Sequence, residues 1–161
     1  MKTEFAIRQM TKKDLISLKH IIDLSFPRFF RFFATQGLNE EGHVLVTEIQ
    51  GKVVGFAKLT EFLVNNNKFG CILWVAVLPQ ARRKGIANVL VEYGTKCLKQ
   101  AGAKAIFASV QRRNKTSLSV FILQGFGKIG FLGLWQLFSW RVFEFYRDIW
   151  FAPGEIVLMH S

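Results

Sequence analysis

The run Trp74-Val75-Ala76-Val77-Leu78-Pro79-Gln80-Ala81-Arg82-Arg83-Lys84-Gly85-Ile86-Ala87-Asn88 turns a β-branched strand into a helix through a short, basic, glycine-containing bend. The first N–H groups of a helix have no intrahelical partner, and the helix dipole places about half a positive charge beside them. Such a start suits an anion. Gly85 and Ala87 keep side-chain bulk away from it, and Arg82, Arg83 and Lys84 attract it from a distance. The spacing predicts a cradle for a diphosphate. An ordinary strand-to-helix turn with solvated cations is the alternative that this segment by itself leaves open.

Upstream, His43 to Ile49 and Lys52 to Glu61 are β-rich runs joined at Gln50-Gly51, and Asn65 to Lys68 turns the chain into a third run from Phe69 to Val77. Three antiparallel strands are expected. Before them, Phe5 to Gln9 reads as a short strand, and Thr11-Lys12-Lys13-Asp14 as a capping box ahead of an apolar helical stripe at Leu15, Leu18, Ile21 and Ile22. Downstream, Ile86, Val89, Leu90, Tyr93, Cys97 and Leu98 keep helical spacing until Gly102, and Ala105 to Val110 reads as a buried strand. A strand-helix-strand unit implies a parallel pair. Asn114 then precedes a short helix with Leu118, Phe121 and Ile122 inward and Gly125 as its stop. Strands at Phe126 to Ile129 and Glu155 to Met159 follow. The expected class is α/β, in the α+β sense: a mixed, mostly antiparallel sheet of about seven strands with one splayed parallel pair and flanking helices.

A chain of 161 residues, half of them apolar, supports one domain, 1–161, with a real core. The net charge of +11, from 22 Lys and Arg against 11 Asp and Glu, attracts anions: nucleic acid, acidic lipid or a phosphorylated cofactor. Nucleic acid is not expected, because Arg112, Arg113 and Lys115 lack interleaved aromatics and no DNA-reading motif is present. Met1 to Arg8 lacks an apolar targeting core, and Cys71 and Cys97 are too few for a disulfide framework. A cytoplasmic, reduced protein is expected, with no metal, since no His, Cys and carboxylate spacing suggests one.

These residues resemble one family, the GNAT superfamily of acyl-CoA-dependent N-acyltransferases. The family's pyrophosphate signature (Gln or Arg, two residues, Gly, one residue, Gly or Ala) stands here as Arg82-Arg83-Lys84-Gly85-Ile86-Ala87, between a strand and a helix. Asn114, seven residues before Phe121 and eleven before Gly125-Phe126, is spaced like the family's asparagine, helix and Gly-Phe. The resemblance covers residues 3 to about 130. It implies acetyl-CoA as cosubstrate, with the pantetheine beside the backbone of Val75, Ala76 and Val77. The diphosphate would lie against the amides of Lys84 to Ala87, with Arg82 and Arg83 as counter-charges, Ile86 and Asn88 in the first helical turn, and Asn114 and Phe121 in the same cofactor site. For Asn114 a helix N-cap is an equal alternative. The implied activity is direct acetyl transfer, within a ternary complex, to an amine of a protein N-terminus, a peptide or a small molecule. A non-catalytic acyl-CoA sensor or interaction module is the competing class.

Two residues depart from the family pattern. Phe121 stands where many members carry a tyrosine that protonates the departing thiolate, and phenylalanine donates no proton. Ser109, five residues before Asn114, stands where N-terminal-amine-modifying relatives often carry a glutamate base. The catalytic residues are therefore unassigned. Glu48, Glu61 and His43 are candidate bases through water, and Tyr93 or Tyr146 a candidate acid, each against a solvated or structural role. The acceptor must be neutral to attack: near pH 7.4 a lysine amine is ~0.1% neutral and an α-amine about a quarter. Low-pKa amines are favoured.

Aromatic residues cluster at 25–33 and 131–150. The charges at Arg141, Glu144, Arg147 and Asp148 fit one face of an amphipathic helix, which places a helical insertion at 131–151 before the last strand. The apolar run is too short to span a membrane. These aromatics pack as core, form a homodimer surface or acceptor pocket, or touch a membrane surface.

Overall fold

The computed structural model describes residues 4–161, which fall into two compact units. The first comprises the chain up to Leu59 together with Trp74–Gly94, and the second Thr60–Leu73 with Thr95–Ser161. In chain order the elements are β1 (Ala6–Gln9), α1 (Leu15–Ser25), α2 (Arg28–Gly37), β2 (His43–Ile49), β3 (Lys52–Val64), β4 (Asn67–Val77), α3 (Ile86–Gln100), β5 (Ile106–Gln111), α4 (Lys115–Leu123), β6 (Gly127–Ile129), α5 (Phe131–Phe138), α6 (Val142–Asp148) and β7 (Glu155–His160). The described strands form a seven-stranded sheet in the order β1-β2-β3-β4-β5-β7-β6, mostly antiparallel, with a parallel pairing of β4 and β5. This is the expected class.

In the first unit the hairpin between β2 and β3 turns on Gln50 (φ 51°) and Gly51 (φ 74°). Two consecutive positive φ values match the right-handed twist of the flanking strands. Asn65 (φ 50°) and Asn66 (φ 60°) repeat the device between β3 and β4, so β3 runs three residues beyond the predicted Glu61. Leu18, Ile21 and Ile22 of α1 are buried, as their spacing requires, with Val46, Phe56 and Ala57. Thr11 and Asp14 form the anticipated box: the Thr11 N–H donates to Asp14 Oδ2 at 2.7 Å, and the Asp14 N–H to the Thr11 carbonyl at 3.0 Å. The Asp14 carboxylate also takes two hydrogen bonds from the Arg8 guanidinium, at 2.7 and 2.9 Å, and holds its pKa well below the usual carboxylate range chiefly through them. Arg8 on β1 bridges this helix start to Glu48 on β2. Lys58, on β3, is buried, and its Nζ donates to the Glu40 carbonyl at 2.8 Å. Burial pushes its pKa down.

In the second unit the parallel ladder pairs Gly70 with Ile106 and Cys71 with Phe107. Gly70 is needed there: a Cβ would stand 3.0 Å from both δ carbons of Leu98. β7 pairs antiparallel with β5 from Ile106↔His160 to Gln111↔Glu155, and β6 with β7. Leu134, Phe138, Val142, Phe145 and Ile149 recur every three or four residues and are buried against Phe69, Phe107 and Val157. Ring centroids lie 4.8 Å apart for Phe107–Phe145 and for Phe138–Phe145, contacts that add about 0.5–1.5 kcal/mol each beyond area burial.

The structure corrects two expectations. Residues 131–151 are not one helix: α5 and α6 are separated by a 3₁₀ turn at Ser139–Arg141, and Ser139 adopts φ 51°, ψ −137°. The break lets one apolar stripe follow a bent path over the sheet. Ile122 does not face inward but is 51% exposed, leaving Phe121 as the buried contact of α4.

Because Asp14 has a depressed folded pKa, its stabilisation is complete above the unfolded value of about 3.9 and is lost as pH falls through the folded one. Asp14→Asn is expected to cost about 1–3 kcal/mol at pH 7 in urea unfolding, discounted for the partial exposure of Arg8. The gap from wild type should close as pH falls below about 4. Equal stabilities at pH 7 would remove the pair from the account of the fold.

Candidate functional site

β4 ends where the Leu78 N–H donates to the Val54 carbonyl at 2.8 Å. Pro79–Ala81 form a single 3₁₀ turn, Arg83 takes φ 64° and Gly85 φ 79°, and α3 begins at Ile86. Ile86 is buried, which turns Arg83, Lys84 and Gly85 outward into exposed positions. A Cβ built on Gly85 meets nothing within 4 Å, so the space over this amide is open. The helix ladder starts with the Val89 N–H on the Gly85 carbonyl, at 3.1 Å, and the amides of Ile86 to Asn88 precede it. Within this first turn the buried Asn88 Oδ1 has no hydrogen-bond partner among the described residues. A backbone bend with outward cations and amides ahead of the ladder can hold an anion.

Arg82 stands apart from its neighbours. Its Nε donates to the Val77 carbonyl at 2.9 Å and Nη2 to Ser25 Oγ at 3.4 Å, so it clamps the bend to the end of β4. The side chains of Ala76 and Val77 are buried and Val75 is half-buried, which leaves backbone as what this strand end can offer. The Val77 carbonyl is already engaged. All of these residues, from Val75 to Asn88, lie in the first unit. Asn114 and Phe121 lie in the second: Asn114 Oδ1 caps α4 by accepting from the Ser117 N–H at 3.1 Å, and Phe121 is buried edge-on to Phe126 at 5.1 Å.

Of the candidate catalytic side chains, Glu48 and Glu61 are ion-paired and Tyr146 packs against a ring. Glu48 accepts from Arg8 Nε at 3.1 Å, and Glu61 pairs with Lys68 at 3.1 Å. Tyr146 packs its ring 4.8 Å from Phe151, and burial pushes its phenol pKa up. Cys71 is fully buried, and burial, followed by the charge of Glu155, pushes its thiol pKa well up, the opposite of an activated nucleophile. Sequence reasoning missed Glu155, at the start of β7. Its Oε2 accepts from Ser109 Oγ at 2.8 Å and from the Ala152 N–H at 2.9 Å. The pairing that brings it to Ser109 joins residues 46 apart, and no local pattern signals it. Among the described residues no group of three or more His, Cys, Asp or Glu could hold a metal ion, and no helix is long and apolar enough to cross a membrane.

The chain thus combines a mixed sheet with one parallel pair and an outward-facing bend between that pair's first strand and the following helix. The profile of the acetyltransferase (GNAT) family matches residues 10–126, and the chain belongs to that family. It is an N-acetyltransferase by class. The N-alpha-acetyltransferase of Sulfurisphaera tokodaii is 28% identical over 138 residues, spanning 78% of this chain and 82% of its own. The PaiA N-acetyltransferase of Thermoplasma acidophilum, solved in complex with coenzyme A, shares the fold with a TM-score of 0.71 at 14% identity, over 98% of this chain and 99% of that one. The ribosomal-protein-S18-alanine N-acetyltransferase of Escherichia coli does so with a TM-score of 0.68 at 18% identity, over 97% and 92%.

Gly85 holds a conformation that costs an L-residue about 1–2 kcal/mol. Gly85→Ala should lose about that much in urea unfolding although no atom opposes the added methyl group, whereas an unchanged midpoint would mean the bend relaxes freely.

Proposed function

We infer that this enzyme moves an acetyl group from acetyl-CoA directly onto an amine, and that its acceptor is an α-amine at a protein or peptide N-terminus. The observation that carries the reading is the bend at Arg83 to Gly85, held outward by buried Ile86 with open space over Gly85. The unladdered amides at the start of α3 fit a polyphosphate linker. When bound, the coenzyme supplies an activated acetyl thioester. The chain's own residues hold it: amides of Lys84 to Ala87 and the cations Arg83 and Lys84 at the diphosphate, and the backbone of Val75 and Ala76 along the pantetheine. Arg82 shapes the bend from behind. Transfer is direct, because buried Cys71 is no nucleophile and Cys97 is pushed toward its protonated form by burial.

The α-amine follows from proton availability. Near pH 7.4 it is about a quarter neutral against ~0.1% for lysine, and its ammonium, with a pKa about 2.6 units lower, also gives up its proton more readily to a base. The Sulfurisphaera relative, named as an N-alpha-acetyltransferase, supports the same acceptor.

Acetyl-CoA at about a hundredfold over its Kd should stabilise the protein by about 2.7 kcal/mol, read as a rise in melting temperature, and Gly85→Glu, which puts a carboxylate in the cradle, should abolish the rise. With acetyl-CoA present, peptides with a free α-amine should release thiol faster at pH 7 than the same peptides blocked at the N-terminus and offering only lysine. Stabilisation without thiol release from any amine would overturn the transfer reading; equal stabilisation of Gly85→Glu would overturn the site.

A further inference from the structure

We propose that Glu155 is the general base of the reaction, delivered across the sheet from β7 to the position that Ser109 occupies on β5. This rests on the acetyl-transfer reading above. The Gln111↔Glu155 and Ser109↔Val157 pairs put Glu155 diagonal to Ser109 on one face of the antiparallel ladder, within reach of its hydroxyl. Two donors, the Ser109 hydroxyl at 2.8 Å and the Ala152 N–H at 2.9 Å, converge on the same oxygen, Oε2. That oxygen is fixed, the carboxylate plane with it, and Oε1 has no protein hydrogen bond among the described residues. Among the described residues no cation pairs with Glu155, in contrast to Glu48 with Arg8 and Glu61 with Lys68. The location is informative as well. The β4–β5 ladder ends at Cys71↔Phe107, and Ser109 and Gln111 continue β5 toward its carboxyl end. Ligands of open sheets collect at the carboxyl ends of parallel strands.

The groups facing Glu155 are Ser109 and Gln111 from β5, Cys71 from β4 and the Ala152 N–H from the connection after α6. Of these, Cys71 carries a thiol whose pKa burial, followed by the charge of Glu155, pushes well up. In the step proposed, the Glu155 carboxylate takes one proton from the acceptor ammonium. The freed lone pair forms the N–C bond to the acetyl carbon, and the C–S bond breaks with its electrons left on sulfur. The remaining surplus proton on nitrogen passes to the thiolate. The products are amide, thiol and one proton that Glu155 returns to solvent.

Glu155→Gln tests this, because its side-chain oxygen still accepts from Ser109 and Ala152 and keeps the connection in place. With an α-amine peptide, wild type should hold its kcat/KM from pH 8 down toward pH 6, as the base acts on bound ammonium. Glu155→Gln should lose about a hundredfold at pH 7. Below the amine pKa of about 7.8 its activity should fall tenfold per pH unit, because only neutral amine then reacts. Ser109→Ala, which removes one of the two donors that fix Oε2, should lower kcat with the α-amine peptide about tenfold and leave the KM for acetyl-CoA unchanged, and it decides the matter if Glu155→Gln fails to fold. A folded Glu155→Gln within about threefold of wild type and with the same pH profile, or an unchanged kcat in Ser109→Ala, overturns the proposal while leaving acetyl transfer intact. Wild type that binds acetyl-CoA and releases no thiol with any amine overturns both.

Discussion

The turn from β4 into α3 keeps its shape because Ile86 is buried beneath it, and the chemistry read from the first unit depends on that contact. Gly55 makes the contact possible. A Cβ at that position on β3 would stand 3.0 Å from the Ala76 carbonyl oxygen and 3.4 Å from Ile86 Cγ2. With hydrogen in its place, the strand end and the first helical residue close on β3 together. Once Ile86 points in, the three residues before it must face water, and two of them take left-handed backbone to do so. Gly85 does this cheaply; Arg83 does it against its preference. Arg82 then stitches the loop to the Val77 carbonyl. An apolar contact, a missing methyl group and one guanidinium hold open a row of amides that nothing in the loop itself consumes.

Basic charge is distributed by the same logic. A net charge of +11 suggests a surface built to attract anions, yet several of the cations are structural. Arg8 joins β1, β2 and the start of α1, Lys58 is buried on a carbonyl, Lys68 pairs with Glu61, and Arg82 is a clamp. What remains outward at the helix start is Arg83 and Lys84. Their attraction is local and reinforced by the amides beside them, so composition alone overstates how much of the charge is aimed at a ligand.

Local features of the fold were legible because they follow short-range rules. The Thr11 to Asp14 box, the Gln50-Gly51 and Asn65-Asn66 turns, the helical stripe of α1 and the Asn114 cap each depend on residues within four of one another, and each formed as expected. The family signature is local as well. What escaped was set by distant partners. Ser139 carries no breaker signal, and its left-handed backbone exists because the aromatic stripe from Leu134 to Ile149 has to bend over Phe69 and Phe107. Ile122 is apolar at helical spacing yet faces out, since the short α4 presents Phe121 alone to the interior. Glu48 and Glu61 read as available carboxylates until pairing put Arg8 and Lys68 against them.

Glu155 shows most clearly how strand register hides a side-chain contact from sequence. A base absent from one strand can be supplied by its neighbour, because side chains on one face of an antiparallel ladder meet diagonally across it. Serine at 109 is small enough to leave room and polar enough to hold the incoming carboxylate. The aromatic layer of α5 and α6 supports the arrangement: Val157, two residues along β7 from Glu155, is buried among Phe107, Phe138 and Phe145, so slipping the register by one residue would turn that side chain out of the core. The hydrophobic cluster that looks unrelated to chemistry therefore sets where the carboxylate stands, and the insertion before β7 and the position of the proposed base are one structural fact.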